Sequence, residues 1–504
     1  TGNIGLTFVV GATSNSQVFD QNGVASTGQQ VFNVLRHFNF ENQDEIQYYQ
    51  KRNVSGVYGQ AEVDYNRFVY LTLAARTDWV SNLSEDNRSI TYPSASVSFL
   101  PTKVFDGLKS DLVNMLKVRV GLGASADFPF GYPIASRLNL DTQSFIRNGA
   151  AIVANTSSSQ LGNPALKPER MDELEFGIEG TFLNRRLGLD LSVYNKATKD
   201  LRIDRPLDPS TGYTTTVTNI GKIENKGAEV DLSFIWVQAQ QPGALEWTSN
   251  LNWSTNEAKV VDLGEDTDYI TYAGGSGYYN VAAPGYSLGT IVGSAINRDA
   301  SGNYKVLSNG FYDIKYGTDP DENTIGDATP NFLLNFGNRI TYKDFAFNFL
   351  ISHVNGGDIM SMTTSVLLGR GLVEDTVDRE QSFILPGINP SGQPNTTQIV
   401  NSDFYFYNVL YGPGENRIYD GSVIRLQEVS LSYNLPKSIL DSTPFGSLSL
   451  SASGYNLWYD AYNTPDSVNF DPNVAGTGIG NGRGFDWLNG PSSKRYGLSL
   501  KATF

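Results

Sequence analysis

Apolar and polar residues alternate one by one in segments of roughly ten residues, and such segments recur along the whole chain. In one of them, Leu187, Leu189 and Leu191 alternate with Gly188 and Asp190. This period places apolar side chains on one face of a β-strand and polar side chains on the other. A tilted strand needs about ten residues to cross a bilayer. The pattern therefore predicts an all-β fold, namely a transmembrane antiparallel β-barrel.

The alternation predicts about fourteen strands. They are expected near residues 1–11, 54–66, 67–79, 92–102, 113–125, 171–183, 186–198, 222–237, 244–260, 330–342, 343–354, 421–436, 446–460 and 494–504. The connections alternate between tight turns, such as Asn66-Arg67, and long loops, such as 12–53, 261–329 and 355–420. Short periplasmic turns and long extracellular loops are typical of outer-membrane barrels. Helical spacing of apolar residues predicts a helical turn within 101–112.

The composition excludes several classes of protein. The chain has 50 Gly, 27 Tyr and 27 Phe but no Cys, which suits many strands and turns and excludes a disulfide framework or a thiolate metal site. No apolar run of about 18 residues is present, so a transmembrane helix is excluded. A formal net charge of -15 argues against nucleic acid as a partner.

The chain opens on a strand-like segment at Thr1, without the charged and apolar regions of a signal peptide. We therefore expect residues 1–504 to form a single β-barrel domain of a longer protein, with further segments upstream.

No residue set in the sequence points to catalysis. His37 and His353 are the two histidines, and they lie far apart on a predicted loop and a predicted strand end. The acidic run 319–322 does not have the spacing of a calcium loop and is more typical of a solvated loop tip. We predict no enzyme, no cofactor and no metal site.

Two groups of residues are candidates for binding. The first consists of loop tyrosines, whose rings suit sugar or peptide binding, although the alternative is that they only pack the loops. They are Tyr269, Tyr272, Tyr278 and Tyr279 in one loop, and Tyr405, Tyr407 and Tyr411 in another. The second is an acidic patch on the predicted lumen face, serving either as a docking surface for a plug or as a wall of a transport path. Its members are Glu173, Glu175, Glu179, Asp190, Glu229 and Asp231.

Several motifs resemble the C-terminal barrel region of SusC-like TonB-dependent transporters. The most specific match is Asn219-Ile220-Gly221-Lys222-Ile223-Glu224-Asn225-Lys226-Gly227-Ala228-Glu229, similar to the family's N-x-G-x-x-x-NKG-x-E stretch. Others are Asn163-Pro164-Ala165-Leu166-Lys167-Pro168-Glu169, Gly285-Tyr286-Ser287-Leu288-Gly289, Ile325-Gly326-Asp327-Ala328-Thr329-Pro330, Ile424-Arg425-Leu426 with Tyr433-Asn434-Leu435-Pro436, and the terminal Phe504. The chain departs from the family at 316–322, where an Asp- and Gly-rich stretch is usual, and any ion site there is in doubt.

The resemblance implies a partner set and an architecture. It implies a barrel of about 22 strands with a plug, so that the plug and about eight strands would precede Thr1. It also implies energy from a TonB complex through a segment outside this chain, and a SusD-like surface lipoprotein that covers the loops as a lid. The loop tyrosines would then contact cargo or lid, and Phe504 would belong to the strand that closes the barrel.

The leading function is therefore TonB-dependent import of large nutrients, an oligosaccharide or a peptide, across the outer membrane of a Gram-negative bacterium. A self-contained channel remains an alternative, because about fourteen is an even number of strands that is able to close unaided. A surface hydrolase or adhesin of soluble β architecture is disfavoured by the alternating loop lengths and by the lack of a catalytic set of residues.

Overall fold

A computed structural model describes residues 3–141, 146–147, 150–264, 267–476 and 482–504. Its main element is an antiparallel sheet of 14 strands whose spatial order follows the order of the chain. The strands are β1 (Ile4–Gln29), β2 (Phe40–Tyr65), β3 (Val69–Val80), β4 (Ser89–Phe99), β5 (Val113–Asp127), β6 (Glu169–Phe182), β7 (Leu187–Lys199), β8 (Lys222–Val237), β9 (Glu246–Asp262), β10 (Pro330–Tyr342), β11 (Phe345–Gly356), β12 (Val423–Asn434), β13 (Ser447–Asp460) and β14 (Arg495–Thr503).

The structure confirms all fourteen predicted strands, and most of their bounds differ from the prediction by only a few residues. The tight turns are also confirmed. Asn66 and Arg67 both have positive φ angles, 48° and 57°. A two-residue hairpin turn needs such angles to match the twist of the two strands that it joins. Two short 3₁₀ turns, Pro101–Lys103 and Asp106–Leu108, confirm the helical turn predicted between β4 and β5.

The prediction of a long loop at 12–53 is wrong. The first two strands contain 26 residues each, and their pairing keeps one register from Ile4↔Tyr65 to Gln29↔Phe40. Both faces of the outer part of this hairpin are exposed and largely polar, so the apolar-polar alternation that revealed the other strands is missing there.

The two faces of the sheet differ in character. Large apolar side chains on one face are exposed; Leu174, Phe176 and Val193, for example, are 51%, 40% and 41% exposed. On β5, β6 and β7, the other face carries charged side chains that pair with one another. An exposed apolar band on the strands of a large sheet is what lipid contact requires.

Trp79 and Trp458 lie near the loop ends of their strands, whereas Trp236 and Trp247 lie near the turn ends. Three of the four, Trp79, Trp236 and Trp458, are 42–52% exposed. Aromatic residues in these two positions are typical of the two interfaces of a bilayer.

The long loops fold into structures of their own. The loops after β5 and β7 contain the strands Leu138–Asp141, Ala154–Ser157, Gln160–Leu161, Arg202–Pro206 and Thr215–Asn219. The loop after β9 contains Ile270–Gly275, Tyr278–Ala282, Thr290–Val292, Ala295–Ile296, Ile314–Lys315 and Thr324–Asp327, and the short helix Pro320–Asn323. The loop after β11 contains the strands Asp358–Ser361, Ser382–Ile384, Gln398–Val400 and Ile418–Asp420, the helix Met362–Gly369 and the π-helix Phe404–Leu410. The helix Lys437–Leu440 follows β12, and the strand Phe485–Asp486 precedes β14.

Contacts divide the chain into two compact units. The first comprises Thr1–Ser98, Val120–Leu174 and Ala197–Lys222, and has a small core around Val80, Leu83 and Leu166. The second comprises Phe99–Arg119, Glu175–Lys196 and Ile223–Phe504. It has two cores, each built mainly from loop residues: one around Tyr278, Ile291, Ala328, Met360 and Phe485, the other around Ile296, Val306, Tyr312, Leu385 and Ile399. That the whole chain is one barrel domain stays a prediction.

Within the described ranges, none of the helices is both long enough and apolar enough to cross a membrane.

Candidate functional site

A charged cluster lies where β5, β6 and β7 adjoin. Arg119 donates to Glu175 at 3.1 Å and to Asp190 at 2.8 Å, and it also bonds the hydroxyl of Ser192. One step along the same face of β5, the ammonium of Lys117 lies 3.0 Å from Glu179. Three carboxylates of the predicted acidic patch therefore share two basic partners, and this part of the face is a mixed network of charges.

The other three carboxylates of the patch are not drawn into that cluster. Glu173 lines a cavity of about 450 Å³ together with Arg170 and Asp172. On β8, Asp231 accepts a hydrogen bond from the side-chain amide of Asn252, and Glu229 is exposed. The structure thus places the six residues on adjacent strands, and it joins Glu175, Glu179 and Asp190 to the basic side chains of β5.

The tyrosines of the loop after β9 are mostly packed. Tyr278 is 7% exposed, and the guanidinium of Arg417 lies 5.5 Å from the centre of its ring. Tyr272 donates to the carbonyl of Leu288, and burial raises its pKa to about 12. Tyr269 lies 3.2 Å from the hydroxyl of Thr318, and Tyr279 pairs with Val292 in the loop sheet. In this arrangement Tyr278 packs the loop core and presents no free ring face.

Four rings of the second unit form a continuous surface, which we call the aromatic platform: Phe311, Phe406, Tyr407 and Tyr411. Tyr407 stacks on Phe311 with ring centres 5.1 Å apart, and Phe406 contacts both Tyr407 and Tyr411, at 4.9 and 5.0 Å. Tyr407 and Tyr411 are 49% and 58% exposed. Arg370 lies 5.5 Å from the ring of Phe406 and donates to the Tyr411 hydroxyl at 3.2 Å.

The aromatic platform lies in and around the π-helix Phe404–Leu410. Single π-helical turns are rare and are often found at functional sites. Tyr405, on the same helix, is half-buried, and burial raises the pKa of its hydroxyl. Flat rings with one cation and several hydroxyl groups suit a ligand that offers both apolar faces and polar edges.

A buried ion pair ties the segment after β13 to β12. Arg425 donates to both carboxylate oxygens of Asp471, and the side chains are 3% and 2% exposed. Burial by itself would raise the pKa of Asp471, but hydrogen bonds from Arg425, Ser492 and the Asn473 backbone outweigh it and lower that pKa.

A second buried carboxylate joins two loops. Asp486 is fully buried and accepts hydrogen bonds from Ser361 at 2.8 Å, from the Thr363 backbone at 3.0 Å and from the Asn489 backbone at 2.9 Å. These bonds hold the start of the helix Met362–Gly369 to the loop that precedes β14.

The remaining candidates have simple surroundings. His37 bonds Ser26, and His353 bonds Tyr462. Asp319 caps the helix Pro320–Asn323, so part of the acidic run serves as a helix cap. No group of three or more potential metal ligands occurs in the described portion of the chain. Phe504 is 86% exposed and its ring lies 5.1 Å from that of Phe445.

Sequence reasoning missed the basic half of the charged cluster and the centre of the aromatic platform. Lys117 and Arg119 lie two residues apart on a predicted strand, a spacing that places them on one face. Phe404-Tyr405-Phe406-Tyr407 is a run of four aromatic residues, of which only the tyrosines were singled out. Nothing in the sequence near Phe311 indicated that its ring lies against Tyr407.

Fourteen antiparallel strands in sequential order, with exposed apolar side chains on one face and paired charges on the other face of β5, β6 and β7, are typical of the wall of a membrane β-barrel. The sequence profile of one family, described as TonB dependent receptor-like, beta-barrel, matches residues 2–356, more than half of the chain. The chain belongs to this family, which is a family of receptors and not of enzymes.

Individual relatives agree with this assignment. TonB-dependent receptor P3 of Formosa agariphila is 26% identical over 482 residues, covering 89% of this chain and 46% of the relative. TonB-dependent receptor SusC of Bacteroides thetaiotaomicron is 25% identical over 369 residues, covering 69% of this chain and 35% of the relative. The chain thus spans about half or less of the length of the curated relatives that it matches.

The fold is also similar to a solved structure, the RagAB peptide transporter, with a TM-score of 0.73 at 17% identity. The match covers 100% of this chain and 54% of that one. At this identity the likeness concerns the fold alone.

Proposed function

We propose that this chain forms the C-terminal part of the barrel of a TonB-dependent importer in the outer membrane of a Gram-negative bacterium. The observation that carries the proposal is the two-faced sheet: an exposed apolar face suited to lipid, and an ion-paired face suited to a polar interior. Membership of the receptor family supports the same function.

In this proposal the barrel has about 22 strands and encloses a plug. The charged cluster around Arg119 then faces the lumen, where it meets either the plug or passing cargo. Since Arg119 already neutralises Glu175 and Asp190, the carboxylates further along the face, such as Glu229 and Asp231, carry more of the free negative charge.

The cargo is an oligosaccharide or a peptide, captured among the long loops before TonB displaces the plug. A SusD-like surface lipoprotein closes over these loops. Two findings support a recognition role for the loops: they have their own buried cores, and the aromatic platform presents Tyr407 and Tyr411 to solvent. One fold neighbour, the RagAB peptide transporter, has peptide as its named cargo, which supports the peptide class.

Replacing both exposed rings of the platform tests its role. We expect Tyr407→Ala combined with Tyr411→Ala to weaken cargo or lid binding by about 1 kcal/mol or more per ring, because stacked aromatic residues often dominate binding energy. Uptake of labelled oligosaccharides and peptides and recovery of the lipoprotein are the measurements, at equal levels of folded protein.

Tyr316→Ala is the matched control, since Tyr316 is 78% exposed and lies outside the platform. Normal uptake and normal lipoprotein recovery in the double variant would show that Tyr407 and Tyr411 only pack the loops.

Conductance of the full-length protein in planar bilayers separates the importer from the self-contained channel. A plugged importer conducts little without its energy source, whereas an open barrel of about fourteen strands conducts freely. A large and steady conductance from the full-length protein would support the channel.

A further inference from the structure

The hairpin of β1 and β2 continues well beyond the sheet that it starts. Pairing of β2 with β3 ends at Val54↔Val80, but pairing of β1 with β2 goes on from Ser16↔Asn53 to Gln29↔Phe40. We call this outer part, residues 16–29 and 40–53, the ribbon. Its strands extend roughly 45 Å past the end of the β2–β3 pairing, at about 3.3 Å per residue. A bilayer crossing takes only about ten residues.

The turn at the end of the ribbon exposes four large apolar side chains, which we call the apolar tip. Val31, Phe32, Leu35 and Phe38 are 58%, 92%, 80% and 79% exposed. Together they present on the order of 500 Å² of apolar surface, taking about 150–200 Å² for each fully exposed large side chain. Apolar patches of this size on a polar support are typical of interaction sites.

The tip is held in one shape by its own hydrogen bonds. Asn39, which is 6% exposed, donates to the carbonyls of Val31 at 2.7 Å and Val34 at 3.0 Å, and accepts from the Val31 backbone at 3.0 Å. The carbonyl of His37 accepts from Gln43, and the His37 ring bonds Ser26. A turn fixed before binding loses less entropy when it binds, which favours docking of a rigid tip into a pocket.

The base of the ribbon is braced within its own unit. The Tyr132 hydroxyl donates to the Lys51 carbonyl at 2.8 Å, Arg52 donates to the Pro129 carbonyl at 3.1 Å, and the Ser81 backbone donates to the Asn53 carbonyl at 3.0 Å. The ribbon is therefore supported where it leaves the sheet. The ribbon leaves the sheet at the same strand ends as two loops, 81–88, which connects β3 to β4, and 128–168, which connects β5 to β6.

We propose that the apolar tip docks into an apolar pocket of a surface protein, and that this protein is the SusD-like lipoprotein of the proposed function, on which this inference rests. The length of the ribbon carries the tip away from the bilayer that β2 and β3 would cross, which argues against lipid as the occupant. A stable interface buries about 800 Å² on each partner. The tip supplies less than that, so it suits one contact of a larger interface better than a dimer formed through two tips.

The test is binding of the full-length transporter in detergent to the purified SusD-like lipoprotein of the same organism. The variant replaces the three most exposed tip residues, as Phe32→Ser, Leu35→Ser and Phe38→Ser. We expect its affinity to fall by about tenfold or more, mostly through faster dissociation. Phe32→Ala alone should also lower the affinity. Because the Phe32 side chain is 92% exposed, this change is not expected to affect folding.

A matched control changes apolar residues along the ribbon, as Val18→Ser, Val24→Ser and Ile46→Ser, which are 56%, 43% and 40% exposed. Its affinity should stay within about twofold of wild type. Wild-type transporter that binds the lipoprotein, with tip variants that bind equally well, would overturn the tip's role and leave the proposed function standing. Wild-type transporter that does not bind the lipoprotein would contradict the lid partner itself.

Two parallel measurements identify other occupants, and either result would overturn the proposal. Loss of transporter dimers in the tip variant, seen by light scattering, would assign the tip to a second copy of the chain. Reduced binding to vesicles of lipopolysaccharide and phosphatidylethanolamine would assign it to a membrane.

Discussion

Arg119 is the residue on which three strands of the charged face converge, since it bonds Glu175 on β6 and both Asp190 and Ser192 on β7. Arg119→Gln would leave two half-buried carboxylates without their cation. We expect a loss of about 1–3 kcal/mol in barrel stability, seen as a lower temperature of unfolding on heat-modifiability gels.

Arg119→Lys keeps the charge but not the planar fork, and should fall between wild type and Arg119→Gln. Equal stability of all three proteins would show that the network contributes nothing measurable.

Asp471 makes a prediction about pH. Because its pKa is lowered in the folded state, the stability that it contributes is present at neutral pH and is lost as pH falls below the ordinary Asp value of about 3.9. We expect amide protection in the segment after β13, corrected for the intrinsic pH dependence of exchange, to fall as the pH drops from about 4 towards about 2.

Asp471→Asn leaves the charge of Arg425 buried and unpaired, at a cost of about 3–5 kcal/mol, so protection of this segment should be low at every pH. Asp466→Asn, at an exposed carboxylate in the same segment, is the control and should behave as wild type. Unchanged protection in Asp471→Asn would contradict the anchoring role.

At the scale of elements, β7 tests which face of the sheet meets lipid. Leu189 lies on the apolar face, and Ser192 lies on the charged face beside Arg119. Spin labels at these two positions in bilayers should differ, with the label at position 189 protected from a water-soluble relaxation agent and the label at 192 accessible. A one-residue slip in register would reverse the result, and equal accessibility would contradict the assignment of faces.

The sequence predicted the sheet strands well because each has one apolar and one polar face, which leaves a period of two in the chain. It did not predict the ribbon, because a strand exposed on both faces has no such period. It also did not predict how the loop rings meet. Phe311 and Tyr407 are 96 positions apart in the numbering, and no local pattern encodes a contact between distant loops.

At the scale of the whole molecule, the proposed importer would use the two-faced sheet as its wall and the loops with their aromatic platform for recognition. The apolar tip would provide a further contact for the proposed lid. These assignments depend on the central claim that transport through this barrel is driven from the inner membrane.

Uptake of labelled oligosaccharides and peptides by cells that carry the full-length protein tests that claim directly, with and without a functional TonB. The account predicts that uptake of at least one cargo class requires the full-length protein and is abolished when TonB is removed. Uptake that persists at the same rate without TonB would contradict active import and would assign the protein to the passive channels.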